Sequence, residues 1–331
     1  MAPTPIPGTV LTLYADLVQK IEAARYLPAT ISRKTVKGEV YLYADEKHGG
    51  TRRQRYIGPQ IDPEAAKEAE QIQFTSQQAK LWRDQVTMIR RAGIPGPSLE
   101  VGRLLEAISR SGMFGTGLIL VGTVAFGLYP LVVGKRLRGA AMMTQDADLA
   151  VASIADVRGD ADLTTVLQRA DPTFRPVPPL DRESLPKKFQ AASGFEVEVL
   201  TPVRTRADVE NVAVKGLGAG ATPLHFLEFL IRDSMRAVAL YNSGVPVTIP
   251  TPARYAVHKL IIAQERRNGT MKRIKDLAQA RILRDAFVGT EHAFDWQALM
   301  EDVTARGGKW KANVDRSLRM LDAGVGMAEF T

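Results

Sequence analysis

GLILVGTVAFGLYPLVVGKRLRGAAMMTQDADLAVA, residues 117–152, decides how the rest of the chain is read. Leu118, Ile119, Leu120 and Val121 make a short apolar run, the pattern of a buried strand. Gly122-Thr123 follows, where the backbone must turn, and a helix-compatible segment comes next. Thr144 to Val151, TQDADLAV, then returns as a second strand. Residues two apart in a strand point to the same face, so Asp146 and Asp148 present two carboxylates side by side. Two like charges that close are costly unless a cation shares them. Hard oxygen ligands suit Mg²⁺, which takes one or two carboxylates together with substrate phosphates.

The composition sets the outer bounds. A chain of 331 residues suits two domains with an appendage, and 45% hydrophobic content is ordinary for a globular protein. There is no Cys, which excludes disulfides, thiolate zinc sites and a cysteine nucleophile, and fits a cytoplasmic location. The formal net charge of +8, with a pI of about 9.6, favours a polyanionic partner such as nucleic acid or a triphosphate. The opening MAPTPIPGTV has no basic region ahead of an apolar core, so no signal peptide is expected. Ser111 to Gly134 is free of charge and long enough to cross a bilayer. Gly112, Gly115, Gly117, Gly122, Gly127 and Pro130 interrupt it, which suits a strand–turn–helix, and no membrane partner is expected.

The order strand, Gly-Thr, helix, strand with Asp146-Ala147-Asp148 resembles the polymerase-beta-like nucleotidyltransferase fold. It is closest to a bacterial group of such proteins with a long N-terminal extension. In that fold Gly122-Thr123 stands where Gly-Gly or Gly-Ser is usual, and Thr keeps the hydroxyl. The gap from Gly122 to Asp146 is long for the fold, so an inserted loop is expected around Lys135, Arg136 and Arg138. The resemblance covers about Leu118 to Leu283 and is weaker in the extension.

Outside this stretch the chain divides into three expected units. Residues 1–112 are an extension of a helix, a basic β-hairpin and long helices. Residues 113–250 are the catalytic core, and 251–331 a helical C-terminal domain. Residues 9–26 have helical spacing. In the extension, Val40, Leu42 and Ala44 alternate with Tyr41 and Tyr43, His48-Gly49-Gly50 reads as a turn, and Thr51 to Ile57 returns as a partner strand. Residues 31–58 carry Arg33, Lys34, Lys37, Lys47, Arg52, Arg53 and Arg55 among Tyr41, Tyr43 and Tyr56. Basic side chains neutralise phosphates and aromatic rings stack on bases, so this hairpin is a candidate contact for RNA or other nucleic acid; a solvated charged face is the plainer alternative. Asp62-Pro63 opens a helix running to about Arg91, and Ser98 caps another to about Ser111.

In Gly194 to Pro202, GFEVEVLTP, Phe195, Val197 and Val199 face one way, and Glu196 and Glu198 the other. Leu224 to Ile231 reads as a strand or buried helix, and Arg236–Leu240 with Val245–Ile249 as a hairpin. Thr251-Pro252 then starts a helix carrying Arg254, His258, Lys259 and Arg266, with Lys259 and Arg266 seven apart on nearly one face. A second basic helix has Lys272, Arg273, Lys275 and Asp276. The expected fold class is α/β of the α+β type: a small mixed, mostly antiparallel sheet flanked by helices.

The resemblance implies more than the residue pattern does. It implies Asp146 and Asp148 as ligands of two Mg²⁺ ions, or Mn²⁺, with Glu198 as third carboxylate and Glu196 in reserve. It implies a nucleoside triphosphate as substrate, its phosphates held at Gly122 and Thr123. Lys259 matches the segment whose lysine contacts the triphosphate, with Arg254, Arg266 and Lys275 as further candidates. The implied reaction moves a nucleoside monophosphate to a hydroxyl on RNA, protein or a small molecule, in some relatives as a toxin. Two alternatives stay open: an inactive nucleotide- or nucleic-acid-binding regulator of the same fold, and a structural protein whose acids are merely solvated. Which nucleotide, which acceptor and which oligomeric state are not written in these residues.

Overall fold

A computed structural model describes residues 3–24, 28–48, 51–137, 146–181, 183–203, 211–266 and 270–325. The chain opens with β1 (Thr4–Pro5) and α1 (Gly8–Ala23), whose Tyr14, Leu17 and Ile21 recur at helical spacing and are buried. Then β2 (Thr30–Val36), β3 (Glu39–His48) and β4 (Thr51–Pro59) form an antiparallel sheet in that order. The expected two-stranded hairpin is therefore three-stranded. No residue of β2 is buried, so it carries none of the alternation by which a strand is recognised. The expected turn residues Gly49 and Gly50 lie outside the described residues.

The long helix α2 (Pro63–Arg91) packs against all three of these strands. Asp62 caps it by accepting from the Glu64 amide at 3.0 Å, with Pro63 at the first helical position. Next come α3 (Leu99–Arg110), capped by Ser98, then β5 (Leu118–Val121), α4 (Gly122–Phe126) and α5 (Tyr129–Val133). Lys135 and Arg136, expected in an inserted loop, instead form β6 (Lys135–Arg136) and pair antiparallel with β1. The Arg136 guanidinium also donates to the Ala92 and Gly93 carbonyls, so this pair is spent on scaffold. Arg138 lies outside the described residues.

The second half contributes β7 (Asp146–Val151), α6 (Leu163–Ala170), β8 (Arg175–Pro176), β9 (Lys188–Gln190), β10 (Glu196–Pro202), β11 (Val212–Val214) and β12 (Ala219–Leu224). The expected Leu224–Ile231 element is split. Leu224 ends β12, Phe226 turns the chain with φ +66°, and α7 (Leu227–Ile231) follows. The hairpin β13 (Met235–Ala239) and β14 (Val245–Ile249) leads to four helices, α8 (Pro252–Glu265), α9 (Thr270–Phe287), α10 (His292–Arg306) and α11 (Gly308–Asp322). Pro252 occupies the first helical position of α8, but the Thr251 side chain makes no capping bond. Among the described residues no helix is long and apolar enough to cross a membrane.

The fold is thus mixed α/β, built on a central sheet of order β11-β12-β10-β7-β5. β7 and β12 run parallel to β10, and the β5–β7, β9–β10, β8–β9 and β11–β12 pairings are antiparallel. Ala147, Leu149, Val197 and Val199 point into the core beneath this sheet. Their neighbours Asp146, Asp148, Glu196 and Glu198 stand on the opposite, more open face. A second core gathers α1, the C-terminal half of α2 and β13, and a third joins α7 to α8, α9, α10 and α11. The Tyr14 hydroxyl of α1 clasps the free edge of β13: it donates to the Val238 carbonyl at 3.2 Å and accepts from the Val238 amide at 2.9 Å.

Candidate functional site

Strand register brings the acids together. Asp146 and Asp148 of β7 lie directly beside Glu196 and Glu198 of the parallel β10, and Asp148 stands opposite Val121 at the end of β5. Gly122 follows Val121 with φ +67°, a conformation that suits glycine. A Cβ there would sit 2.2 Å from the Asp148 Oδ2, so the carboxylate occupies space that only a missing side chain leaves.

Helices α8 and α9 close on the same loop. The Tyr255 hydroxyl is 3.0 Å from the Gly122 carbonyl and 2.9 Å from Gln279 Oε1, while Gln279 Nε2 reaches Thr123 Oγ1 at 3.4 Å. The Tyr255 ring lies 5.2 Å from Tyr129 and 5.9 Å from Phe126, a buried aromatic group that fixes α4 and α5 against α8. One turn beyond Tyr255, Lys259 donates to the buried Asp276 at 2.5 Å, and Arg266 donates to the other oxygen of Asp276 at 3.1 Å. The two cations predicted to share a face therefore meet on one carboxylate.

Electrostatics ties these groups to the strand acids. The Asp148 carboxyl is pushed up to about 6, first by burial and then by Asp146 and Glu198, against the pull of Lys259 and Arg266. Burial pushes the Asp276 carboxyl up, but Lys259 and Arg266 more than offset this, and it ends below the ordinary carboxylate value. Lys275 is drawn down by burial while Asp146 pulls it up, which puts its ammonium in the field of the same acids.

Other candidates fall less centrally. Glu198 accepts from Thr222 Oγ1 at 2.9 Å and pairs with Lys188 at 3.3 Å. Gln190 donates to Glu196 at 3.2 Å. Arg254 is engaged elsewhere: it pairs with Asp233 at 2.6 Å, donates to the Phe229 carbonyl and lies over the Phe229 ring. Among the described residues no three His, Cys, Asp or Glu side chains converge closely enough to cage a metal ion. Asp276, Tyr255, Gln279, Thr222 and Lys188 were not assigned site roles from the sequence. In the sequence Asp276 stands out only as the acid of the second basic helix, and its two partners, ten and seventeen residues upstream, are found only by folding α9 onto α8.

Comparison with known proteins gives one result that bears on this geometry. A family model described as Nucleotidyltransferase matches residues 99–304, from α3 into α10 and across every strand and helix just named at the site. No curated protein and no solved structure matches the chain. The match spans more than half of the sequence and contains the glycine turn, the paired acids and the α8–α9 cations in one unit, and the chain belongs to the nucleotidyltransferase family.

Proposed function

We propose that the chain transfers a nucleoside monophosphate from a nucleoside triphosphate to a hydroxyl acceptor on RNA, protein or a small molecule. The observation that carries this reading is the placement of Asp148: in register with Glu198, pressed against Gly122, and within the field of Asp146 and Lys259. Asp146 and Asp148 fit a hard divalent cation. Their donors are carboxylate oxygens, and Asp148, raised first by burial and then by the charges of Asp146 and Glu198, is a carboxylate whose ionised form a bound cation would favour. When bound, Mg²⁺ or Mn²⁺ would supply positive charge to the phosphates and to the attacking oxygen, and two ions are expected.

The protein's own groups do the rest. The Gly122 and Thr123 amides and the Thr123 hydroxyl hold phosphate oxygens, with Gln279 orienting that hydroxyl. Lys259, kept in place by Asp276, offsets charge on the departing pyrophosphate, with Arg266 and Lys275 adding to the field. The acceptor oxygen bonds to the α-phosphorus as the bond to pyrophosphate breaks, and the acceptor proton passes to Glu198. Most of the rate then comes from positioning and fixed charge. In this reading residues 113–250 carry the chemistry, and 251–331 bring Lys259, Arg266, Lys275 and Asp276 to it.

One observation favours a second reading. Glu198 is occupied by Thr222 and Lys188, which suits a protein that binds nucleotide without turnover. Incubation with each α-labelled triphosphate, Mg²⁺ and cellular RNA or protein pools separates the two. Label transfer that Asp148→Asn and Asp146→Asn abolish, with the fold intact, is the expected result. Mg²⁺-dependent nucleotide binding without transfer selects the second reading, and near-native transfer by both variants removes the carboxylates from the chemistry.

A further inference from the structure

We propose that the outer face of the β2–β3–β4 sheet binds single-stranded nucleic acid, stacking unpaired bases on Tyr41, Tyr43 and Tyr56. This site is separate from the carboxylate site and does not depend on nucleotidyl transfer. Its basis is the way the sheet divides its side chains. Leu42 and Ala44 point inward and are buried on the side that α2 covers. Arg55 is drawn to that side too, pairing with Glu68 of α2 at 2.8 Å and with Glu46 at 3.6 Å. Tyr41 and Tyr43 alternate with these residues and stand on the other face.

On that face the rings meet each other. Tyr43 lies opposite Tyr56 in the β3–β4 register, with ring centroids 5.4 Å apart, and Tyr41 is 6.1 Å from Tyr56. Lys34 of β2, opposite Tyr41, places its ammonium 4.6 Å from the Tyr43 ring centre. Gln54 donates to Ser32 on β2 and Asp45 on β3, and so marks the same face across all three strands. Lys34, Arg52, Gln54 and Tyr56 are exposed, with Tyr56 at 52%. A cross-strand aromatic pair alone would serve only to stabilise a hairpin. Three contiguous rings on the uncovered face of the sheet, Tyr56 exposed and Tyr41 and Tyr43 half-buried beside it, offer more than that.

The charge identifies the partner. Residues 30–59 hold seven Lys and Arg against three Asp and Glu, half of the chain's net +8, with Arg55 turned to the α2 side and Arg52 paired with Asp45. A polyanion that also carries flat apolar rings matches both features, and only unpaired bases present their faces for stacking. A duplex keeps those faces buried, and an acidic peptide has no regular run of rings alternating with its charges.

The test uses the full-length protein and labelled oligonucleotides of mixed sequence, single-stranded RNA and DNA and the matching duplexes, read by fluorescence anisotropy. Single strands are expected to bind more tightly than duplexes. Tyr56→Ala, an exposed change that leaves the fold intact, should weaken single-strand binding about ten-fold at constant salt, and Tyr56→Phe should restore it. Lys34→Gln should reduce the slope of log affinity against log salt by about 0.7. Asp148→Asn should bind as the wild type does, whether or not it transfers nucleotide. Wild-type affinity in Tyr56→Ala, a preference for duplex, or no oligonucleotide binding at all would overturn the proposal. Loss of binding in Asp148→Asn would move the contact to the carboxylate cleft and overturn it equally.

Discussion

Gly122 is where backbone geometry and chemistry are hardest to separate. Its φ of +67° costs a residue with a Cβ roughly 1–2 kcal/mol, and that Cβ would also meet Asp148 Oδ2 at 2.2 Å. Gly122→Ala should therefore displace the carboxylate rather than merely loosen the turn. The expected result is a fall in kcat/KM for triphosphate of about a hundred-fold, the scale of a misplaced catalytic group, with a folded protein by circular dichroism. Unaltered kcat/KM would show that the Asp148 position is not critical. Gly122, Asp146 and Asp148 were legible in the sequence because each leaves a local mark: a glycine after a buried run, and acids at period two among apolar neighbours. What the sequence could not show was that the glycine's missing side chain makes room for the second acid. That depends on the antiparallel register of β5 and β7, which nothing within either strand specifies.

Between elements, α8 and α9 are joined at Asp276, and this changes what a substitution at Lys259 does. Lys259 and Asp276 are both buried, so removing the ammonium leaves Asp276 with Arg266 alone. Lys259→Met should lower the melting temperature as well as weaken triphosphate and pyrophosphate binding, the latter about ten- to a hundred-fold. Asp276→Asn should do the same by freeing Lys259 from its position. The measurement that separates chemistry from packing is the ratio of triphosphate to monophosphate affinity. It should drop in both variants; equal weakening of the two ligands would make the α8–α9 ion pair purely architectural. Helix pairs of this kind are only half legible. The heptad spacing of Lys259 and Arg266 marks a shared face, but the buried acid that answers them comes from the next helix. The same limit hid β2, whose exposed residues pair with β3 without any apolar alternation.

Across the whole molecule, buried titratable groups make stability depend on pH. His258 is enclosed in α8 and held down to about 3, first by burial and then by the charge of Lys259, against an unfolded value near 6.5. Between those values the unfolded chain binds the extra proton, so stability falls as pH drops through this window. Asp148, raised to about 6, works the other way from about 6 down to the ordinary carboxylate value, and Asp45, lowered to about 2 by its hydrogen bond to Arg52, adds a loss below that value. His258→Gln should flatten the decline in melting temperature between pH 6.5 and 3 relative to the wild type. Parallel curves would assign the acid sensitivity to the carboxylates instead. The Tyr14 clasp on Val238 has a consequence in time. Its two residues are separated by 224 positions, so a ribosome adding about 5–20 residues each second needs about 10–45 s to deliver the second after the first. Throughout that interval the newborn helix carrying Leu17 and Ile21 has emerged without the strand it docks against. A nascent chain halted short of Val238 therefore has α2 to pack against but leaves the β13-facing side of this helix open to the chaperones waiting at the exit tunnel.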